Sequence, residues 1–370
     1  MDDLHAWIAF SQLNCFSLSQ KHTLFKKFGC VKTILELNSK DFNKTQGGSP
    51  QRRLNFPFFS QIDQRNLEKT LTWVNARSSN QVICYADKRY PFLLKQISSP
   101  PLILYACGDV GLLDSKQIAI VGSRKATLAG KQIAEQFAQQ LSGCGLTVTS
   151  GMATGIDSYA HQGALNNSGR TIAVLGTGID KCYPASNKTL YEQIAARGLL
   201  ISEFNLASPP RKTHFPQRNR IISGLSIGAL VVEATRRSGS LITARHALQQ
   251  NREIFAIPGS ILSNTASGCL GLIQQGAKLV RSIDDILDEF SEFSARNLNN
   301  KPLMLTKKHS FGSVEHKQVI ELITDVPLSF DKLFTQSGLT IDQLCSILLD
   351  LELDGLVEKL PGNQYLRTTR

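Results

Sequence analysis

The sequence has little that would suit a membrane protein or a secreted one. No stretch of the 370 residues approaches the ~18 uninterrupted apolar residues that a membrane helix needs. The first five residues, Met-Asp-Asp-Leu-His, are acidic and are not followed by a long apolar stretch. No secretory signal is therefore expected, and we expect a cytoplasmic protein that does not contact a membrane.

The cysteines also lack the spacing of a structural framework. Eight of them are scattered along the chain, and none forms a Cys-x-x-Cys pair. A chain of this length, with 42% hydrophobic residues, can bury a core without covalent staples. We therefore expect reduced thiols, no disulfide framework and no metal site.

Acidic residues are too few to balance the basic ones. Lys and Arg number 41 against 30 Asp and Glu, a net charge of +11. Residues 312–370 contain five basic and nine acidic residues, a net −4, so residues 1–311 carry +15. A basic body of this kind favours a polyanionic partner.

The pattern of apolar residues divides the chain into four parts. Residues 1–80 predict a small helical domain, and residues 83–290 alternate short apolar runs with helical stretches. Residues 291–311 are polar and predict a linker. Residues 312–370 predict three helices and a hairpin, the order of a winged-helix domain.

The part from 83 to 290 predicts an α/β fold with a parallel sheet covered on both faces. Its apolar runs are continuous and rich in β-branched residues, as expected of strands buried on both sides. The predicted strands are Ile118–Val121, Leu146–Thr149, Thr171–Leu175, Leu199–Ser202, Leu230–Val232, Ile254–Ile257 and Lys278–Val280. Ligands of such sheets bind at the carboxyl ends of the strands.

The first strand-end turn is Gly122-Ser123-Arg124-Lys125. A glycine after a strand allows a tight turn, and the amides at the next helix attract phosphate. Arg124 and Lys125 add full positive charges. The alternative is a solvated basic turn of the kind that is common on surfaces.

Two further turns combine small residues with polar ones. Ser150, Gly151 and Gly155 lead into a helix that carries Asp157 and, four residues on, His161. The last two side chains form either an acid–base pair or a buried structural contact, and the structural interpretation is favoured because no nucleophile accompanies them. The other turn, with Gly176 and Gly178, begins like a dinucleotide fingerprint. It has Lys181 at the third glycine position, so no cofactor is expected.

The most basic stretch runs from 209 to 220 and contains no acidic residue. Few residues next to Phe215 in the sequence are apolar. This pattern is typical of an aromatic side chain that stacks on a base while neighbouring residues bind the phosphate backbone. The alternative is that Phe215 fills the core and the charges are solvated. The later turn Ser238-Gly239-Ser240 offers hydroxyls and amides to a phosphate, or simply caps a helix.

The predicted third helix of the winged-helix domain, Ile341–Asp354, has four acidic residues and no Lys or Arg. A helix that reads DNA should be basic. This domain is therefore predicted to contact protein rather than DNA.

Taken in order, these motifs resemble those of the DprA/Smf family. They occur across about 190 residues as Asp87-x-x-Tyr90-Pro91, Val-Gly-Ser-Arg at 121–124, Ser-Gly-x-Ala-x-Gly-Ile-Asp at 150–157 with Ala160-His161, Phe-Pro-x-Arg-Asn-Arg at 215–220, Ser-Gly-Ser-Leu-x-Thr-Ala at 238–244, Ala-Ile-Pro-Gly at 256–259 and Leu-Ile-x-x-Gly-Ala at 272–277. One departure is Leu270-Gly271, where relatives often have a polar residue.

The resemblance implies an extended Rossmann-like core that dimerises, with a helical appendage of the SAM or helix-hairpin kind and a winged helix. It implies a cytoplasmic protein without catalytic residues or cofactor. Such a protein binds single-stranded DNA during natural transformation, protects it from nucleases and helps to load RecA recombinase. The implied DNA-binding residues are Ser123, Arg124, Lys125, Lys212, Phe215, Arg218, Asn219, Arg220, Ser238, Gly239 and Ser240.

Two other functions remain open on the sequence. Glycine-rich strand ends also occur in Rossmann-type enzymes that release the base from nucleoside monophosphates. The Pro-Gly-Gly-x-Gly-Thr-x-x-Glu motif of those enzymes is absent; its nearest counterpart is the segment 233–243. The third possibility is a scaffold that binds other proteins mainly through the acidic winged helix.

Overall fold

The structure is a computed structural model, and it describes residues 3–37, 62–290, 314–323, 328–353, 356–360 and 362–367. The chain divides into two compact units, Met1–Ala295 and Arg296–Arg370. The predicted linker, 291–311, lies outside the described residues. Within the described residues no helix is both long and apolar enough to cross a membrane, and none of the eight cysteines forms a disulfide.

The first unit begins with helices α1 (Asp3–Gln12), α2 (Leu18–Phe28), α3 (Val31–Glu36) and α4 (Gln64–Ala76). Ser17 and Gln20 form a reciprocal capping box at the start of α2, and Gly29 ends the helix in the left-handed conformation. Apolar side chains of these helices share one buried cluster with the sheet. The N-terminal helices therefore belong to the same compact unit as the sheet.

A nine-stranded sheet forms the centre of this unit. Its order is β1-β2-β6-β5-β4-β3-β7-β8-β9. The strands are β1 (Asn80–Cys84), β2 (Ile103–Gly108), β3 (Gln117–Val121), β4 (Thr147–Ser150), β5 (Thr171–Val174), β6 (Leu199–Ser202), β7 (Gly228–Val231), β8 (Glu253–Ala256) and β9 (Lys278–Leu279). All the neighbouring pairs from β6 to β9 are parallel, which confirms the predicted sheet. β1 and β2, which the sequence did not predict, extend it by antiparallel pairing.

Helices cover both faces of the sheet. Apolar residues alternate along β3, so that Ala119 and Val121 face one layer while Ile118 and Ile120 face the other. The first layer contains α5 (Phe92–Lys95), α9 (His214–Leu225), α10 (Ser240–Gln249) and α11 (Ser267–Gln274). The opposite layer contains α6 (Leu128–Gly143), α7 (Ile156–Asn166), α8 (Lys188–Arg197) and α12 (Asp284–Leu287), together with α1–α4.

The second unit has the element order of a winged helix. It comprises α13 (Val314–Leu322), β10 (Leu328–Ser329), α14 (Phe330–Ser337), α15 (Ile341–Leu353), β11 (Val357–Leu360) and β12 (Gln364–Arg367). The three strands pair in the order β10-β12-β11. Thr340 and Gln343 cap α15 reciprocally, as the sequence predicted. The exposed surface of α15 combines Ile341 and Leu349 with the carboxylates of Asp342 and Glu352.

Candidate nucleic-acid interface

The predicted turns meet at one edge of the sheet. After β3 the chain continues outward through β4, β5 and β6, and then returns to place β7 on the other side of β3. The strand order therefore reverses between β3 and β7, and the turns after these two strands flank a crevice. This topological switch point is where an open α/β sheet binds its ligands.

Glycines allow the turns at the switch point to pack closely. A Cβ on Gly122 would lie 2.5 Å from the side chain of Ile156. Gly155 has a φ of +79°, and a Cβ there would lie 2.3 Å from the carbonyl oxygen of Ser123. The amide of Ser123 donates to the carbonyl of Glu233 at 2.8 Å, which ties the β3 turn to the β7 turn. Arg124 then projects from a fixed backbone and is exposed, as is Lys125.

Phe215 lies half-buried at the start of α9, beside this basic turn. The guanidinium carbon of Arg124 is 5.4 Å from its ring centroid, and Tyr183 contacts it at a centroid distance of 5.5 Å. The ring packs against Gly176, where an added Cβ would come within 2.8 Å of a ring carbon. The glycine turn after β5 therefore serves to seat an aromatic ring, and Lys212 is exposed nearby in the sequence.

Arg218 does not present its charge to a ligand in this structure. Its side chain is almost fully buried, and Nη1 donates to the carbonyl oxygens of Gly151 and Val174. Burial lowers the pKa of Arg218 to about 10, and the opposite charge of Asp157 counteracts part of that shift. The structure places this guanidinium between the ends of β4 and β5, where it joins the two strand ends, and direct DNA contact by Arg218 stays a prediction.

Asp157 supports the same turn from the other side. Its Oδ2 accepts from the amides of Gly151 at 3.1 Å and Ala153 at 3.3 Å. Burial raises the pKa of this carboxyl group, while Arg218 opposes the shift. Gly151 is thus held through its amide by Asp157 and through its carbonyl by Arg218. Its lack of a side chain leaves room for the guanidinium, which would lie 2.5 Å from a Cβ.

His161 is fully buried and structural. The Thr171 hydroxyl donates to the carbonyl of Val148 at 2.9 Å, so its oxygen accepts from Nδ1 of His161 at 2.7 Å. This arrangement assigns the neutral tautomer with the proton on Nδ1. Burial lowers the pKa of His161 to about 3. Together with the buried Asp157, these contacts favour the structural interpretation of the pair over an acid–base one.

Arg220 is also engaged inside the protein. Both of its terminal nitrogens donate to the carboxylate of Glu203, at 2.7 and 2.6 Å, and both side chains are largely buried. The ion pair neutralises the charge that the sequence assigned to nucleic acid. Direct DNA contact by Arg220 therefore stays a prediction, and Arg124, Lys125 and Lys212 are the exposed cations of the predicted set.

The remaining predicted residues lie where α9 meets α10. Nδ2 of Asn219 is 3.5 Å from the carbonyl of Gly239, and the hydroxyls of Ser238 and Ser240 are 2.7 Å apart. Gly239 is exposed, Ser238 is half-buried and Ser240 is buried. Part of the polar surface of this loop is accessible, and Asn219, which it contacts, is one helical turn from Phe215. We call the ring of Phe215 with its neighbours Arg124, Gly176 and Tyr183 the Phe215 pocket. Gly178 plays a different part, packing against the carbonyl of Asn205 in the loop after β6.

Sequence reasoning missed the acidic residue of the switch point. The carboxylate of Glu233 accepts from the amide of Thr127 at 3.0 Å and from its hydroxyl. Glu233 therefore caps the start of α6 and joins it to the β7 turn. Its position directly after a buried strand, among basic motifs, was the available signal.

An open parallel sheet with exposed cations and a seated aromatic ring at its switch point defines an α/β protein that binds polyanions, here followed by a winged helix. Models of two families match the chain: "DNA recombination-mediator protein A" over residues 81–291 and "DprA winged helix domain" over residues 312–363. The chain belongs to the DNA recombination-mediator protein A family, as the sequence motifs indicated.

Individual relatives agree with this assignment. Protein Smf of Synechocystis is 36% identical over 83% of this chain and 85% of its own length. The structure of DNA processing protein A from Streptococcus pneumoniae superposes with a TM-score of 0.68 and 38% identity, covering 78% of this chain and 99% of its own. That of Helicobacter pylori, described for its single-stranded DNA binding mode, has a TM-score of 0.52 and 30% identity over 58% of this chain and 97% of its own. These similarities favour a recombination mediator over the nucleotide-processing enzyme.

Proposed function

We propose that this protein binds single-stranded DNA at the switch point of its sheet, as a non-enzymatic recombination mediator. The observation that carries the proposal is the half-buried ring of Phe215 with the exposed guanidinium of Arg124 within 5.4 Å of its centroid. Paired bases cannot reach such a ring, whereas an unpaired base can stack on it. The Helicobacter pylori relative, described for binding single-stranded DNA, supports the same ligand class here.

In this proposal the site binds DNA through two kinds of interaction, charge attraction to phosphates and stacking on a base. Arg124, Lys125 and Lys212 bind phosphates, Phe215 stacks on a base, and the Ser238–Ser240 loop donates further hydrogen bonds. The contacts are to backbone and ring faces, so little sequence preference is expected. Arg218 acts as a positioning residue, since it holds the turn that carries Gly151.

We also propose a wider role, which membership of this family supports. The protein protects incoming single strands from nucleases in the cytoplasm during natural transformation and helps to load RecA recombinase. It acts as a homodimer, which the exposed apolar side chains of Ile261 and Leu262 after β8 and of Leu279 on β9 support. Light scattering of an Ile261→Asp, Leu262→Asp variant tests the dimer. Half the wild-type mass is expected, and an unchanged dimer mass would contradict this interface.

The first test of DNA binding is fluorescence anisotropy with labelled oligo-dT, a duplex control and a salt series. The single strand should bind more tightly, with an affinity that falls as salt rises because bound phosphates release counterions. Arg124→Ala and Phe215→Ala should each weaken binding, whereas Arg65→Ala on α4 should not. Equal binding of both DNA forms, or no effect of either site variant, would contradict the proposal. Release of free base from nucleoside monophosphates would favour the enzyme instead.

A further inference from the structure

Two arginines that the proposed site does not include lie on the turn that follows β7. Arg236 and Arg237 are both exposed. Among the residues that the structure describes, neither has a hydrogen-bond or ion-pair partner. Arg218 and Arg220 on α9 differ, because Arg218 donates to backbone carbonyls and Arg220 pairs with Glu203. Two adjacent free guanidinium groups therefore stand at the edge of the sheet that carries the pocket.

The turn that carries them is held in place on both sides. The amide of Ser238 donates to the carbonyl of Thr235 at 2.9 Å, which puts Arg236 and Arg237 at the two central positions of a β-turn. Before the turn, the amide of Ala234 donates to Thr265 at 2.8 Å, and its carbonyl accepts from Gly268 at 2.7 Å. The arginines thus project from a fixed corner of the chain.

This corner is continuous with the Phe215 pocket. Glu233, three residues before Arg236, accepts from the amides of Ser123 and Thr127 and so joins the turns after β3 and β7. On the other side of the corner, Gly239 lies against Asn219 of α9. Gly176, which seats Phe215, follows β5, and β5 and β7 are three strand spacings apart, ~14 Å. The carboxylate nearest to these arginines in the sequence, that of Glu233, already accepts hydrogen bonds from the amide and the hydroxyl of Thr127.

We propose that Arg236 and Arg237 form a second phosphate subsite for the same DNA strand. The strand leaves the Phe215 pocket, passes Arg124 at the switch point and places its next phosphates at the Thr235–Ser238 turn. The ligand class is a phosphodiester backbone, read without base contacts. This inference rests on the proposed function, because the strand must first occupy the pocket.

The test is the salt dependence of dT20 binding to wild type and to an Arg236→Ala, Arg237→Ala variant of the full chain. For single-stranded DNA, each phosphate contact that is removed makes the slope of log affinity against log salt shallower by ~0.7. Loss of two contacts should therefore make the slope shallower by about 1.4. Relative to binding in 1 M salt, that difference amounts to about 25-fold at 0.1 M. Replacement of both residues by Lys should retain the wild-type slope.

The matched control replaces two other exposed arginines by Ala, Arg65 on α4 and Arg77 directly after that helix, and so makes the same change in net charge. If this control loses as much slope as the test variant, or if the test variant keeps the wild-type slope, the second subsite is refuted. The proposed function fails in a different way, because wild type would then not prefer dT20 over a duplex. Quenching of 2-aminopurine at saturating DNA should persist in the test variant and disappear in Phe215→Ala.

Discussion

Replacement of Arg218 by Met tests whether this residue acts as a buried support. The substitution keeps much of the side-chain volume and removes the guanidinium that donates to Gly151 and Val174. It leaves two buried carbonyls without a donor and Asp157 without its neighbouring cation. Removing one partner of a buried ion pair costs about 3–5 kcal/mol of unfolding free energy, and we expect a cost of this order for removing the buried guanidinium that hydrogen-bonds two carbonyls.

The assay is thermal unfolding followed by circular dichroism. In a domain of ~200 residues, 1 kcal/mol lowers Tm by about 2–4 °C, so Arg218→Met should lower it by about 6–20 °C. Asp157→Asn should partly relieve this cost, since the double variant no longer buries an unpaired carboxylate. The destabilisation of the double variant should therefore be smaller than the sum of the destabilisations of the two single variants.

A different result would refute this explanation. If Arg218→Met unfolds within about 2 °C of wild type, with ΔΔG then below ~1 kcal/mol, the guanidinium does not support the turn. If it keeps its stability but loses DNA affinity, Arg218 contacts DNA directly, as the sequence suggested. Additive effects of the two substitutions would show that Arg218 and Asp157 do not interact.

Three further outcomes are expected. The pKa of His161 is about 3 in the folded protein against 6.5 ordinarily, so the unfolded chain takes up a proton first and stability falls as pH drops below about 6.5. At pH 5 the loss of unfolding free energy is about 2 kcal/mol. Urea unfolding of His161→Gln, whose side chain does not bind a proton, should lack this dependence on pH. Gly176→Ala should displace the ring of Phe215 and lower the affinity for oligo-dT measured by anisotropy, with unchanged binding contradicting the packing. Deletion of residues 296–370, which removes the acidic winged helix, should leave that affinity within about twofold; a larger loss would assign DNA binding to that domain.

Much of the architecture was predictable because its signals are local. Apolar β-branched runs and the glycines after them marked the seven strands from β3 to β9, with ends within two residues of the structure. β1 and β2 were missed because they pair antiparallel at the sheet edge, outside the strand–helix alternation. The turns with Gly122 and Gly176 were correctly placed at one edge, since parallel strands carry their carboxyl ends to the same side.

The roles of the arginines were harder to predict. Arg218 lies on α9, which begins at His214 with Pro216 accommodated in its first turn. On this helix Arg218 shares a face with Ile221, Ile222 and Leu225, at the spacing of buried residues. The basic composition of the stretch from 209 to 220 does not reveal this face, because it depends on where the helix begins. The Glu203 partner of Arg220, across a loop, was not readable from local pattern.

The hydrogen bonds that hold Gly151 on both sides have a consequence for which DNA strands the protein would select. Because Arg218 and Asp157 fix the turn through protein contacts alone, the proposed binding surface is formed without DNA. In the proposed binding mode the free-energy cost of ordering then falls mainly on the DNA, which must order its backbone and give up base stacking to place a base on Phe215. We expect that cost to be smaller for a strand of weakly stacked thymines than for one of well-stacked adenines. Selectivity among single strands would then follow the internal order of the nucleic acid, with no side chain reading a base.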